Sequence, residues 1–221
     1  MLVETPQQLV SVNIYVDDSN ISIGGRCHPE GNSDWDYDIN LLSDIITSDL
    51  LYAGIDPFYR TFSFYGADLH RNHHLNLLRA CRYPIVAAFD SHRNGRGKEK
   101  AADTRLTAHM TERIMNAHFF GEPAYFVVLS GDGDMVPAVE MAVKYGFPVC
   151  VWSWEESLSK KLAELAADLK NNGLVEIRLL EQHLDDITLN WVEPRVADEE
   201  DDGIRFTTEL SDAEGEPESR H

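Results

Sequence analysis

Two aspartates one residue apart follow a short apolar segment near the middle of the chain. Residues 125–129 are rich in β-formers, and the sequence SGDGD comes directly after them at 130–134. The apolar residues within 135–143 indicate a buried helix after this turn. A strand ending here would bring Asp132 and Asp134 to the carboxyl edge of a sheet, where open α/β sheets bind ligands. A simple helix cap is the other interpretation of such an aspartate.

Further carboxylates follow predicted strands elsewhere in the chain. Residues 12–16 predict a buried strand that ends at Asp17, and residues 85–89 predict another that ends at Asp90. Asp103 lies in the first turn of a helix predicted at about 101–117. In a parallel sheet these acids would gather at one edge, although a helix cap or a solvated turn is the better explanation for Asp90.

Gathered carboxylates repel one another unless a cation neutralises them. Hard oxygen ligands of this kind suit Mg²⁺ or Mn²⁺, and one or two such ions can align a water against a phosphodiester. The sequence therefore predicts a metal site whose ligands are Asp17, Asp103, Asp132 and Asp134.

The elements that must position these acids alternate along the chain, which predicts an α/β fold with a doubly wound, mostly parallel sheet and helices on both faces. The first, third, fourth and fifth strands are almost continuously apolar, as expected for strands buried on both sides. Strands are predicted at 12–16, 58–65, 85–89, 125–129, 147–152 and 174–180, helices at 36–51, 68–82, 101–117, 135–143 and 155–169, and a loop at 24–34.

Composition limits the class of protein. The 221 residues suit one domain, predicted at 1–193, followed by an acidic tail at 194–221 that we expect to be disordered. No apolar run approaches the roughly 20 residues of a membrane span. The three cysteines are far apart and form no CxxC pair, so we expect neither a zinc site nor disulfides, and a reducing cytoplasm is the predicted location.

The net charge of −19 disfavours general binding of nucleic acid. A polyanionic substrate must therefore be held locally, and a basic loop predicted at 91–100, close to the predicted acids, could do this. Its glycines, Gly95 and Gly97, would let the backbone approach a phosphate closely. The predicted substrate-binding residues are Arg93, Arg96, Lys98, Lys100 and Arg105.

Three motifs, taken in order, resemble those of the NYN domains, a branch of the PIN-like nucleases. VDDSN at 16–20 is similar to the family's D-x-x-N after the first strand. KAAD at 100–103, with Arg105 and Leu106, is similar to its K-G-x-D-v-x-L helix start, and SGDGD at 130–134 to its S-G-D-x-D. The resemblance covers roughly residues 10–155.

This resemblance implies a PIN-like three-layer sandwich and a Mg²⁺- or Mn²⁺-dependent endoribonuclease acting on RNA. It implies that the four aspartates bind metal and that Asn20 orients a carboxylate or a water. Ser130 would hold the turn or contact a phosphate. Homo-oligomerisation and a protein partner remain open.

Two positions depart from the family pattern. Ala101 replaces the usual glycine, and His109 stands near a position where the family often has another aspartate. Six residues after Asp103, His109 lies about 240° further around an ideal helix and so does not face the metal directly. It could assist proton transfer from outside the metal ligands, but a core or surface histidine is the favoured interpretation. The alternative function is accordingly a catalytically weak or inactive module that binds RNA or a protein.

Overall fold

The computed structural model describes most of the chain between residues 10 and 189. The acidic segment 194–221 lies outside the described residues, so the domain boundary at 193 stays a prediction. The described residues are 10–31, 33–56, 59–80, 84–93, 99–100 and 102–189, with only the backbone given for 73–74, 92–93 and 99–100.

One sheet crosses the described part of the molecule. Its strand order is β4-β3-β2-β1-β5-β6-β7, and every neighbouring pair is parallel except β3 and β4. The strands are β1 (Ser11–Asp17), β2 (Arg60–Ala67), β3 (Ile85–Arg93), β4 (Glu99–Lys100), β5 (Ala124–Leu129), β6 (Val149–Ser153) and β7 (Val175–Leu179).

Helices cover both faces of this sheet. Short 3₁₀ helices at Leu69–Arg71, Gly133–Met135, Glu155–Ser157, Leu169–Asn171 and Leu180–His183 complete the connections. The α-helices are α1 (Asp18–Cys27), α2 (Ile39–Tyr52), α3 (His73–Ala80), α4 (Ala102–Phe120), α5 (Val136–Lys144), α6 (Lys160–Ala167) and α7 (Leu184–Ile187).

Two hydrophobic cores lie on opposite sides of the sheet. Helices α1, α2, α3 and α7 pack on one face, and α4, α5 and α6 pack on the other. The central strands contribute alternate residues to the two cores: Val127 of β5 faces the first and Val128 the second. Each buried aliphatic side chain of this size stabilises the fold by roughly 1.5–3 kcal/mol. The predicted doubly wound α/β fold is confirmed.

The direction of winding reverses at the centre of the sheet. From β1 the chain proceeds outward through β2 and β3, and from β5 it proceeds the opposite way through β6 and β7. β1 and β5 are therefore neighbours, with Val16 paired to Leu129 at their carboxyl ends. Open α/β sheets bind their ligands in the crevice at this switch point. At this point β1 ends with Asp17, and Ser130 directly follows the last residue of β5.

The predicted loop at 24–34 is wrong over its first residues, because α1 continues to Cys27. Adjacent glycines usually favour a loop, but here the absence of a side chain at Gly24 and Gly25 lets two tryptophan rings pack directly against the helix. A Cβ on Gly24 would overlap the indole of Trp154, and a Cβ on Gly25 would overlap that of Trp35. Tertiary packing therefore keeps Gly24 and Gly25 helical.

The third strand is less buried than its apolar sequence predicts. Ile85 is 59% exposed, and residues 86–89 are only partly buried. The reason is position, because the only outer neighbour of β3 among the described residues is the two-residue strand β4. This antiparallel pairing also replaces part of the basic loop predicted at 91–100.

Two predicted helices are interrupted in the structure. The helix predicted at 155–169 consists of a 3₁₀ turn at Glu155–Ser157, the helix α6, and a second 3₁₀ turn. Ser159 begins α6 as its N-cap, since its hydroxyl accepts the amide of Leu162. The segment 68–82 similarly contains a 3₁₀ turn before α3. No helix among the described residues is both long and apolar enough to cross a membrane.

Candidate metal centre

Asp17 joins the first strand to the first helix and is almost completely buried, with 4% of its surface exposed. It is the N-cap of α1, since Oδ1 accepts the backbone amide of Asn20 at 3.1 Å. The hydroxyl of Ser130 donates to Oδ2, also at 3.1 Å. A buried carboxylate is costly unless such donors surround it, so these bonds set its orientation.

The turn after β5 is attached to the same helix start. The amide of Gly131 donates to Oδ1 of Asn20 at 3.1 Å, and the amide of Asp132 donates to the Ser130 hydroxyl at 3.3 Å. The carbonyl of Gly131 accepts the amide of Ser159 at 2.8 Å. The two strand ends therefore form one hydrogen-bonded unit, which we name the β1–β5 junction: Asp17, Asn20, Ser130 and Gly131.

The second and third acids stand on the 3₁₀ helix that follows this junction. Oδ1 of Asp132 caps it by accepting the amide of Asp134 at 2.9 Å. The carbonyl of Asp134 accepts the hydroxyl of Thr107, on α4, at 3.2 Å. Asp132 is half-buried and the side chain of Asp134 is exposed.

The third chain segment of the site is the start of α4. Asp103 lies in its first turn and is half-buried. Three residues each contribute one carboxylate oxygen, and these oxygens lie within 4.8 Å of one another: Asp103, Asp132 and Asp134. We name these three residues the acid cluster.

A pocket of about 200 Å³ connects the β1–β5 junction with the acid cluster. Asp17 is outside the 4.8 Å grouping but shares this pocket with two of its members. The pocket thus brings together acids from three distant parts of the sequence. It is lined by Asp17, Ser19, Asn20, Ile23, Ala102, Asp103 and Asp132.

The acid cluster fits a small divalent cation. Oxygens that bind one Mg²⁺ at about 2.1 Å can be at most about 4.2 Å apart. Three carboxylate oxygens within 4.8 Å therefore need only small side-chain rotations to share one ion. The donor set contains oxygen alone, which suits Mg²⁺ or Mn²⁺ rather than a metal that prefers nitrogen or sulfur.

Of the predicted basic phosphate-binding residues, only Arg105 has a described side chain. It is exposed on α4, and its guanidinium lies 4.9 Å from the centre of the Phe89 ring. The backbones of Arg93 and Lys100 lie in β3 and β4. Arg96 and Lys98 lie outside the described residues, so their role stays a prediction.

His109, in the middle of α4, packs among aromatic rings of the neighbouring strands β2 and β3. Its Nδ1 and the hydroxyl of Tyr65 share a hydrogen bond of 2.9 Å, and its ring contacts Phe89 edge-on at 4.7 Å. Burial raises the pKa of Tyr65 to about 12. His109 is thus a packed residue bonded to a neutral phenol at neutral pH.

Sequence reasoning missed several residues beside the acids. Ile23 and Ser19 line the pocket, and Thr107 bonds to the turn that carries Asp134. Ser19 lies inside the D-x-x-N motif and could have been noted there. Ile23 and Thr107 have no distinguishing signal, because each lies within a helix whose contacts depend on the tertiary fold.

Comparison with known proteins identifies the family. Residues 11–170 match the model of the NYN domain family. The chain belongs to this family of PIN-like nucleases. No curated protein matches the sequence. Among solved structures, the nicotinamidase SaPncA from Staphylococcus aureus is 15% identical, over 77% of this chain and 100% of that one, with a TM-score of 0.32. This similarity is too weak to support any inference about the fold or the function of the chain. The NYN domain is a nuclease-family fold that typically uses a divalent metal.

Proposed function

We propose that this NYN domain is an endoribonuclease that requires Mg²⁺ or Mn²⁺. One observation carries the proposal: three carboxylate oxygens lie within 4.8 Å of one another beside a pocket that also contains Asp17. This arrangement stands at the switch point of the sheet, the usual ligand site of such folds. A cluster of like charges is unfavourable by itself and becomes favourable when it binds a cation.

The four acids have different roles in this proposal. Asp103, Asp132 and Asp134 would hold the ion, which would supply Lewis-acid chemistry and neutralise charge at the phosphodiester. Asp17 faces the same pocket and orients the attacking water through its fixed carboxylate. Asn20 and Ser130 are positioning residues, since they donate to Asp17 and hold the turn of the acid cluster.

The substrate must approach a protein with a net charge of −19. Basic residues of the segment 93–105 would offset this repulsion locally. Arg105 lies two residues after Asp103 on α4, about 200° further around the helix, and its side chain is exposed. We propose that it binds a phosphate of the RNA together with Arg93, Arg96, Lys98 and Lys100.

A polar cavity on the far side of Asp134 gives the substrate room to continue. It has a volume of about 770 Å³, and Thr104, Thr107 and Lys161 are among its lining residues. Hydroxyl groups and a lysine are suitable partners for ribose and phosphate oxygens. If an RNA strand crossed the acid cluster, the part of the strand beyond Asp134 would lie in this cavity.

The decisive test is the substitution Asp132→Asn, which keeps the shape of the side chain and its capping oxygen. We expect RNA cleavage in Mn²⁺ to fall at least about 100-fold, because the charge that binds the ion is lost. The melting temperature should stay within a few degrees. Asp185→Asn, an exposed aspartate on α7, is the matched control and should cleave like wild type. Full activity of Asp132→Asn would refute the assignment.

Metal binding can be measured apart from cleavage. Calorimetric titration with Mn²⁺ should give a binding isotherm for wild type that is weakened by at least about tenfold in Asp132→Asn. The Asp185→Asn variant should titrate like wild type. Equal Mn²⁺ affinity in all three proteins would place the ion elsewhere.

His109 motivates a second candidate function, a non-catalytic NYN module that binds RNA. Its ring is bonded to Tyr65 and packed against Phe89, so this position supplies no carboxylate to a second ion. RNA binding that persists in EDTA, without cleavage of any substrate in Mn²⁺, would favour this function over the nuclease.

A further inference from the structure

The helix α2 carries apolar side chains on two faces. One face packs into a core of the sheet through Ile39, Leu42, Ile46 and Leu50. The other face is turned to solvent, where Leu41 is 43% exposed and Tyr52 is 95% exposed. A surface helix normally presents polar residues on its outer face, so an apolar outer face is typical of a surface that binds another protein.

Three residues form a continuous line along this outer face. Leu41, Ile45 and Tyr52 lie within about 40° of one another around an ideal helix. At 1.5 Å per residue, the line from Leu41 to Tyr52 extends for about 16.5 Å, or about three helical turns. Single apolar side chains are common on protein surfaces, whereas a contiguous set of them marks an interaction site.

The line lies in a groove with a volume of about 640 Å³, which we name the α2 groove. Helix α2 forms one wall, and the helical segment after β7 forms the other wall with His183 and Asp186. The two walls are joined, because the amide of Asp38 donates to the carbonyl of Ile187 at 2.7 Å. A groove with apolar anchors at helical spacing matches the way in which proteins bind an amphipathic helix.

The polar residues around the α2 groove are mainly acidic. Asp44, Asp49 and Asp186 line it, and no lysine or arginine is among its described lining residues. Asp49 is neutralised by Arg178 of β7, whose Nε lies 3.2 Å from Oδ1. Asp186 lies 3.7 Å from Nδ1 of His183, which is an ion pair only when the histidine is protonated. Asp44 is exposed, so the rim of the groove carries a net negative charge.

We propose that the α2 groove binds a basic amphipathic helix of a partner protein. Apolar side chains of that helix would pack on Leu41, Ile45 and Tyr52, and its lysines or arginines would meet Asp44 and Asp186. Opposite charges across an interface select the partner and speed its association. The proposal is independent of the nuclease function, since no residue of the groove lines the acidic pocket or belongs to the acid cluster.

Three other occupants fit the charge of the groove less well. The acidic rim would repel the phosphates of RNA. A second copy of the chain has the same acidic groove and a net charge of −19. The segment 194–221 of this chain contains ten acidic residues and three arginines, so the rim would repel it too. Charge therefore favours a basic segment of another protein.

Binding of designed peptides to the full chain tests this surface. The probe is the fluorescein-labelled peptide AKLAKKLAKLAKKLAK, whose leucines recur at helical spacing. AKAAKKAAKAAKKAAK has the same charge without leucines, and AELAEELAELAEELAE has the same leucines with the opposite charge. In about 150 mM salt, which screens long-range attraction, the probe should bind at least about tenfold more tightly than either control peptide by fluorescence anisotropy.

Variants of the apolar line separate docking in the groove from general attraction to an acidic protein. Leu41→Ala/Tyr52→Ala shortens two exposed side chains, so the fold should be retained while affinity for the probe falls at least about tenfold. Phe119→Ala/Leu169→Ala is the matched control, since these side chains are 81% and 93% exposed and lie outside the groove. This control should bind the probe like wild type.

Variants of the rim test the charge separately. Asp44→Asn/Asp186→Asn should weaken binding of the probe by about threefold to tenfold, because two opposing charges are lost. Glu112→Gln/Glu156→Gln removes the same net charge at exposed positions outside the groove. This control should weaken binding by less than about twofold, since salt screens distant charges.

Several results would overturn the proposal. Failure of the full chain to bind the probe, as expected if its own segment 194–221 covered the groove, is one. Equal affinity for the probe and either control peptide, unchanged affinity in either groove variant, or an equal loss in the matched controls are others. Self-association or RNA binding by wild type that disappears in Leu41→Ala/Tyr52→Ala would assign the groove to a second copy or to RNA instead.

Discussion

The β1–β5 junction and the acid cluster are two walls of one pocket, yet they treat their carboxylates differently. Asp17 is 4% exposed, and its two oxygens accept a backbone amide and a serine hydroxyl. The acids of the cluster are half-buried or exposed and lie within 4.8 Å of one another. The first wall stabilises a charge with protein donors, whereas the second leaves a concentration of charge for a cation to neutralise.

This difference separates the residues that stabilise the fold from the residues that would bind the cation. The junction holds the ends of two central strands together, so its residues contribute to folding as well as to the pocket. The cluster is attached to the same turn, but its carboxylates meet near solvent, where the fold depends on them less. Substitutions in the two walls should therefore separate loss of stability from loss of activity.

The sharpest form of the comparison pairs Asp17→Ala with Asp134→Ala. Asp17→Ala removes an N-cap and leaves the hydroxyl of Ser130 without its acceptor, so the free energy of unfolding should fall by about 2–4 kcal/mol. Asp134→Ala should change it by no more than about 0.5 kcal/mol, since the side chain is exposed. Both variants should lose RNA cleavage.

Urea denaturation followed by circular dichroism measures both values. Asp17→Asn provides an internal check, because asparagine keeps one acceptor oxygen and should be intermediate in stability. If Asp17→Ala and Asp134→Ala were equally stable, the distinction between the two walls would be wrong.

The two glycines of the SGDGD turn extend the comparison to the backbone. A Cβ on Gly131 would overlap the hydroxyl of Ser153 and the carbonyl of Ser157, so Gly131→Ala should destabilise the protein by about 1–3 kcal/mol. A Cβ on Gly133 would meet nothing nearer than the Ser159 hydroxyl at 3.4 Å. Gly133→Ala should therefore be almost neutral in thermal denaturation. A larger loss in Gly133→Ala than in Gly131→Ala would contradict the packing described for the junction.

The fold class followed from the sequence because its signals are local. The apolar residues of β1 and β5 and the turn after each strand specify these elements without reference to the rest of the chain. Strand order is different, since it depends on which faces pack together. The adjacency of β1 and β5, which brings Asp17 to Ser130, became evident only in the structure.

The residues of the candidate site could be predicted from local sequence, but their arrangement in space could not. The motif residues Asp17, Asp103, Asp132 and Asp134 could be named because each follows a recognisable strand or begins a helix. The packing of Trp154 on Gly24 could not be predicted, since the two residues come from separate segments of the chain. The sequence predicted a loop at Gly24, because it does not reveal which aromatic ring will pack against a glycine and favour it within a helix.

A smaller effect on stability is expected at high pH from Tyr65, which lies on β2 and is bonded to His109. Burial raises the pKa of Tyr65 to about 12 from an ordinary value of 10.0. The folded protein therefore keeps the phenol proton at pH values where the unfolded chain has lost it. The contribution of Tyr65 is complete below pH 10 and is lost as pH rises from about 10 to about 12.

Replacement of this tyrosine by phenylalanine should remove that part of the pH dependence. Tyr65→Phe also loses the hydrogen bond to His109, so at pH 8 it should be less stable than wild type by about 0.5–1.5 kcal/mol. Above pH 10 the difference between the two proteins should shrink, because only wild type has this phenol to ionise on unfolding. Urea midpoints at pH 8, 10 and 11 measure the change. A constant difference across this range would mean that the phenol titrates alike in the folded and unfolded chains.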